Sequence, residues 1–170
     1  MGAEAGLDED METGALRRLA ARYANAVDSG DAEGFVALFL PESRITMFRP
    51  GDGETPSVDI AGLDDLRAIP ASLAGRYAAT FHLVGHAVHE LPSDPDGDAT
   101  GTVYCLAHHL DREAGTDHVM HISYRDHYRR GRDGRWRFLS REGTIPWTET
   151  RPVDAVTAAV AASVAAGSAG

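Results

Sequence analysis

Between residues 13 and 29, Leu16, Leu19, Tyr23 and Ala26 or Val27 recur every three to four positions, the spacing of one buried helical face. That spacing predicts a helix ending at Ser29-Gly30-Asp31, where Gly30 suits a left-handed cap and Asp31 suits the N-cap of a second helix. The second helix, over 31–40, carries Phe35, Val36, Leu38 and Phe39 and stops before Pro41. Residues 43–48 read as a short strand, 49–57 as a loop rich in glycine, proline and acid, and 62–73 as a helix interrupted at Pro70. The chain then changes character. Residues 82–91, 100–110, 119–130 and 135–144 are strand-like, separated by turn clusters at 93–97, 113–115 and 131–134. Helices first and an antiparallel meander afterwards predict an α+β fold.

The ends differ from the middle. Residues 1–11 show no periodicity and read as a disordered arm, and 12–150 as the folded domain. Residues 151–170 are an alanine-rich tail in which Val153, Val156, Val160 and Val164 keep helical spacing, the pattern of a docked lid helix or of a frayed end. A length of 170 residues suits one domain, and 43% hydrophobic with 25% charged residues suits a globular core. The net charge of −10 makes nucleic acid and anionic membranes poor partners. The longest apolar run, around Phe35 to Leu40, is too short to span a bilayer, and the acidic N-terminus lacks the features of a secretion signal. These features predict a cytoplasmic location.

Several chemistries drop out. All 16 basic residues are arginine, which excludes Schiff-base and phosphate-loop lysines. The single cysteine, Cys105, excludes an internal disulfide and multi-thiolate metal sites, and mid-strand among apolar neighbours it is a poor nucleophile. Eight histidines invite a metal, but no His-X-His pair exists to chelate from one strand face, so no metal and no cofactor are expected. The Asp94, Asp96, Asp98 run reads as a hairpin turn, and the arginines at 129, 130, 132, 135 and 137 as a solvated hairpin tip. An acid–base set remains. Asp28 falls in the last turn of the first helix, where the dipole disfavours a carboxylate, so another group must stabilise or use it. His82 opens a strand directly after a helix, and Tyr23 lies on the buried helical face.

Six stretches, in order, resemble the SnoaL-like proteins of the nuclear transport factor two-like superfamily over about residues 16–147. They are Tyr23-Ala-Asn-Ala-Val-Asp28-Ser-Gly-Asp31, Thr80-Phe-His82, Tyr104-Cys-Leu-Ala-His-His109, Tyr124-Arg-Asp-His-Tyr128, Asp133-Gly-Arg-Trp136-Arg-Phe138 and Ile145-Pro-Trp147. The resemblance implies a cone: a strongly curved, mostly antiparallel sheet around N-terminal helices, enclosing an apolar pocket. It also implies a homodimer or homotrimer, packed in many relatives through the outer sheet face.

Scytalone dehydratase and the bile acid dehydratases of that superfamily use a helix-one aspartate to orient a histidine base, and Asp28 and His82 match those two positions. Tyr23 matches a catalytic tyrosine, and His109 (or its neighbour His108) a second pocket histidine. Ser123 and Arg125 fall where substrate-binding polar groups are expected, with an arginine in place of an amide. Tyr124, Phe48, Arg141 and Trp147 complete the implied substrate contacts. The implied activity is a cofactor-independent dehydratase acting on a small hydrophobic, oxygenated molecule of polyketide, terpenoid or steroid-like character. A cyclase or isomerase with the same pocket, or a non-catalytic ligand-binding or assembly subunit, is the alternative.

Overall fold

The computed structural model describes residues 2–94, 96–111 and 113–153. The helical spacing noted for the tail beyond 153 lies outside the described residues. The elements are α1 (Gly2–Ser29), α2 (Ala32–Val36), β1 (Phe39–Phe48), β2 (Val58–Ala61), α3 (Leu63–Leu66), α4 (Ala68–Arg76), β3 (Ala79–Glu90), β4 (Ala99–Asp111), β5 (Thr116–Arg130) and β6 (Trp136–Pro152).

α1 buries Leu16, Leu19, Ala20, Tyr23, Ala24, Ala26 and Val27, the face its periodicity predicts. It ends in a Schellman motif. Gly30, at φ 71°, donates its N–H to Val27, and the Asp31 N–H reaches back to the Ala26 carbonyl. Asp31 then caps α2 by accepting from the Gly34 N–H at 2.8 Å. Residues 2–11, expected to be a disordered arm, instead form the start of α1. Their sequence carries no apolar periodicity, yet it contains no breaker except glycine. Glu12 pins this end by accepting from the Trp136 indole N–H and pairing with Arg130 at 2.7 Å.

α2 stops at Val36, four residues earlier than the sequence pattern predicts, and Phe39 already belongs to β1. Pro41 has no N–H to bond the Ala37 carbonyl, so the helix cannot continue. The predicted 62–73 helix is broken at Arg67 rather than at Pro70. Pro70 cannot donate to the Leu66 carbonyl four residues back, so α3 ends at Leu66 and Pro70 takes its place in the first turn of α4.

The strands form one six-stranded sheet in the order β2-β1-β6-β5-β4-β3. Every pairing is antiparallel except β1 with β6. Register shifts between Val84 and Ala87, and on β5 between His121 and Ser123, bend the strands. Pro146 sits opposite the second irregularity, where a missing donor is tolerated. The bent sheet wraps around the helices as a curved, open cone, the α+β architecture expected. Phe35, Phe39, Tyr23, Tyr128 and Phe138 pack ring against ring inside it, at centroid distances of 5.0–6.2 Å. Burying each such ring contributes about 2–3 kcal/mol.

Candidate active site

β3 opens immediately beside the C-terminal turn of α1, and this places His82 against Asp28. His82 Nδ1 lies 2.6 Å from Asp28 Oδ1. The His82 backbone N–H donates to Asp28 Oδ2 at 2.8 Å, and the Thr80 hydroxyl donates to Oδ1 at 2.8 Å. Burial raises the Asp28 carboxyl, but the three hydrogen bonds outweigh it and hold the group below its ordinary value. An ionised carboxylate at the wrong end of a helix dipole is thus stabilised by β3. With Nδ1 engaged, the His82 Nε2 is left to the cavity that the ring lines.

That cavity has a volume of about 360 Å³. Ile45, Met47, Ile60, Ile69, Leu73, Met120, Ile122 and Ile145 give it an apolar wall, into which Tyr23, His82, His109 and Tyr124 bring polar atoms. β2, unassigned in the sequence reading, supplies Val58 and Ile60. Arg49, Asp65 and Ser72 also line it, on segments whose alternation gave no sign of a cavity.

Register settles the choice between the adjacent histidines. His109 faces inward, with its ring centroid 5.5 Å from His82 and 4.5 Å from Tyr77. His108 faces the outer surface, where its Nδ1 meets Asp117 at 2.8 Å. Burial pushes the His109 pKa down to about 4, with the neighbouring His82 adding to the effect, and the buried Nε2 has no hydrogen-bond partner. The sign of the stability effect follows. Above about pH 6.5 the ring is neutral in both folded and unfolded chains and contributes nothing. Between pH 6.5 and 4 the unfolded chain takes a proton that the fold refuses, so stability is lost as pH falls. Urea unfolding at pH 7 and pH 4 is expected to show the protein losing about 2–3 kcal/mol more than His109→Gln over that interval.

Of the six predicted substrate contacts only Tyr124 lines the cavity; the other five lie elsewhere. On β5, Ile122 and Tyr124 point inward, so Ser123 and Arg125 between and beyond them point outward, and Arg125 pairs with Glu142. Phe48 follows inward-facing Met47 on β1 and does not line the cavity. Trp147 is 52% exposed and stacks on His121 at 4.3 Å on the outer face. Arg141 is buried but stands behind the wall: it makes a two-pronged ion pair with Asp126 and lies under the rings of Tyr23 and Tyr124. Sequence reading missed Asp126, although it shares strand parity with Tyr124. Cys105 is buried with its thiol pushed up to about 12, which makes it inert as a nucleophile. Among the described residues no group of three His, Cys, Asp or Glu side chains could hold a metal ion. No described helix is long and apolar enough to cross a membrane.

Gly143 sets the cavity's shape at the β1–β6 pairing. A Cβ there would meet Met47 Cε at 2.7 Å and Tyr124 Cε1 at 3.1 Å. The flexible Met47 end can yield only by moving into the cavity it lines. Gly143→Ala should therefore weaken binding of the dye 1-anilinonaphthalene-8-sulfonate about fivefold, close to 1 kcal/mol, with a stability loss of similar size. Fluorescence titration and thermal melting check the two.

The hexachlorocyclohexane dehydrochlorinase of Novosphingobium barchaimii LL02 is 17% identical, with a TM-score of 0.72 over 89% of this chain and 99% of that one. ActVI-ORFA of Streptomyces coelicolor is 18% identical, with a TM-score of 0.63 over 79% and 97%. A nuclear transport factor 2-like protein with a cystatin-like fold from Novosphingobium aromaticivorans is 24% identical, with a TM-score of 0.64 over 93% and 91%. At these identities the likeness is one of fold. No curated protein matches the sequence. The model of the SnoaL-like domain matches residues 11–142, from Met11 within α1 through β5 and into β6 as far as Glu142. The chain belongs to the SnoaL-like domain family.

Proposed function

We propose that the chain is a cofactor-independent lyase that eliminates water from a small hydrophobic, oxygenated molecule, with His82 as general base. The observation that carries this reading is the His82–Asp28 contact at the wall of an apolar cavity. Asp28 fixes the His82 tautomer and stabilises the imidazolium that forms, the arrangement that serves hydrolytic triads on unrelated folds. His82 Nε2 takes the proton from the carbon beside the substrate carbonyl, and the electron pair moves into an enolate. The C–O bond then breaks, and the departing hydroxyl leaves as water with a proton from Tyr23. His109, kept neutral by burial, donates a hydrogen bond to the carbonyl oxygen rather than a proton. The apolar wall excludes bulk water and strengthens each of these interactions. Cyclisation or double-bond isomerisation would use the same base on a different skeleton.

The test uses a probe that needs only a base in an apolar cavity. In 5-nitrobenzisoxazole the C3 proton leaves, the N–O bond breaks and the electron pair ends on a coloured cyanonitrophenolate. The protein should accelerate this reaction over buffer, and a chelator should leave the rate unchanged. A protein that binds the probe without accelerating it is a ligand-binding module, and the lyase reading then fails.

The same reading includes self-association into a homodimer or homotrimer and a cytoplasmic setting. Phe81, Leu83, Tyr104 and Trp147 are each more than half exposed on the outer sheet face, and this supports packing through that face. Leu83→Glu should shift the sedimentation profile toward the monomer while leaving the unfolding transition in place.

A further inference from the structure

Arg141 is the largest fully buried side chain, 1% exposed, and its Nε and Nη2 donate to the two Asp126 oxygens at 2.8 and 2.7 Å. The Tyr128 hydroxyl donates to the same carboxylate at 2.7 Å, so Asp126 is fully engaged. The third nitrogen, Nη1, is buried and has no hydrogen-bond partner. An orphaned donor on a buried cation is costly and calls for a reason. The guanidinium carbon lies 4.2 Å from the centroids of both Tyr23 and Tyr124, the two rings whose other sides line the cavity. Arg141 itself does not line it. A substrate contact, the role implied by resemblance, is therefore closed to it.

We infer that Arg141 is a positioning residue that acts through Tyr23: held by Asp126 behind the cavity wall, its guanidinium receives the negative charge that the Tyr23 oxygen acquires when its proton passes to the leaving group. The inference rests on the reading of Tyr23 as proton donor. Burial alone would make Tyr23 a poor acid, because a phenolate in an apolar wall has no solvent to stabilise it. The Arg141 charge opposes that burial. A buried Nη1 with no hydrogen-bond partner leaves donor capacity that gains most when the Tyr23 oxygen becomes anionic, which favours the transition state over the ground state. The other titratable or charged groups around Tyr23 are Asp126 and Tyr124 on β5, Cys105 and His109 on β4, and the His82–Asp28 pair between β3 and α1. The α2 and β1 sides present the rings of Phe35 and Phe39.

The experiment reads Tyr23 directly. The full chain is labelled with 3-fluorotyrosine, the Tyr23 resonance is assigned by its loss in Tyr23→Phe, and its ionisation is followed by fluorine NMR. In Asp126→Asn/Arg141→Gln, a neutral pair of similar shape, the Tyr23 midpoint should rise by about one pH unit or more, the tenfold effect of losing a nearby charge. In Arg141→Lys, which keeps a charge but not the fork, it should rise by an intermediate amount. With 5-nitrobenzisoxazole, whose phenolate leaves without taking a proton, the neutral pair should change KM less than about threefold, since Arg141 touches no substrate. An unchanged midpoint in the neutral pair overturns the inference, and if that variant does not fold, an unchanged midpoint in Arg141→Lys does so. A rise in KM at constant kcat would instead make Arg141 a substrate contact and equally overturn it. Loss of activity in His82→Ala beside an unmoved Tyr23 midpoint sinks this inference alone. A shifted midpoint beside an activity that ignores His82 sinks the general-base reading alone.

Discussion

His82→Ala should lower kcat for 5-nitrobenzisoxazole by about 10²- to 10⁴-fold, the usual worth of a positioned general base. The geometry leaves little room for substitution of roles. Asp28 accepts three hydrogen bonds, two of them from His82, so the ring is held by its backbone and by Nδ1 at once. His109 is the nearest alternative base, but burial keeps its pKa near 4, too weak to take over the task at neutral pH. Asp28→Asn keeps the size of the side chain and removes its charge, so it tests tautomer control separately from packing. It should cost nearly as much as losing the imidazole. Because the two residues act as one unit, the double variant should be little worse than His82→Ala. Tyr23→Phe should cost far less than His82→Ala with this probe, whose phenolate leaves without taking a proton. Steady-state rates of the five proteins at one pH decide among these outcomes. Full activity in His82→Ala would end the catalytic proposal.

The parts of the site legible in the sequence are those set by local rules. Leu16, Leu19 and Tyr23 show the buried face of α1 because a helix repeats its environment every three to four residues. Asp28 stood out because a carboxylate in the last turn conflicts with the helix dipole, and that conflict is relieved by Thr80 and His82. The parts that were not legible depend on sheet register. On β5 one residue of slip decides whether Ser123 or Tyr124 faces the cavity, and the irregularity between His121 and Ser123 is invisible in a hydrophobic pattern. The same slip separates His108 from His109. Nor could spacing reveal the partner of Arg141, because Asp126 is 15 residues away and meets it only through the β5–β6 pairing. Helix lengths failed where proline chemistry acts at a distance of four residues, at Ala37 and Leu66, and where α1 takes in 2–11, whose sequence has no apolar periodicity.

The largest stability effect should come from the buried ion pair rather than from the catalytic dyad. Arg141 and Asp126 have side chains 1% and 0% exposed, so neither charge can recover hydration if its partner is removed. Arg141→Met should therefore destabilise by about 3–5 kcal/mol, most of it the cost of an uncompensated carboxylate in the core. Packing adds to the loss, because the guanidinium also fills the space between Tyr23, Tyr124 and Phe138 at 4.2–4.3 Å from each ring. The neutral pair Asp126→Asn/Arg141→Gln leaves no isolated charge and should lose less than half as much. By contrast, Arg44→Met breaks an exposed pair with Asp59 and should change stability by less than about 1 kcal/mol. Urea unfolding of the three variants at pH 7 orders them. If Arg141→Met costs no more than Arg44→Met, the pair is not the electrostatic anchor of the core, and its position behind Tyr23 would have to be explained by packing alone.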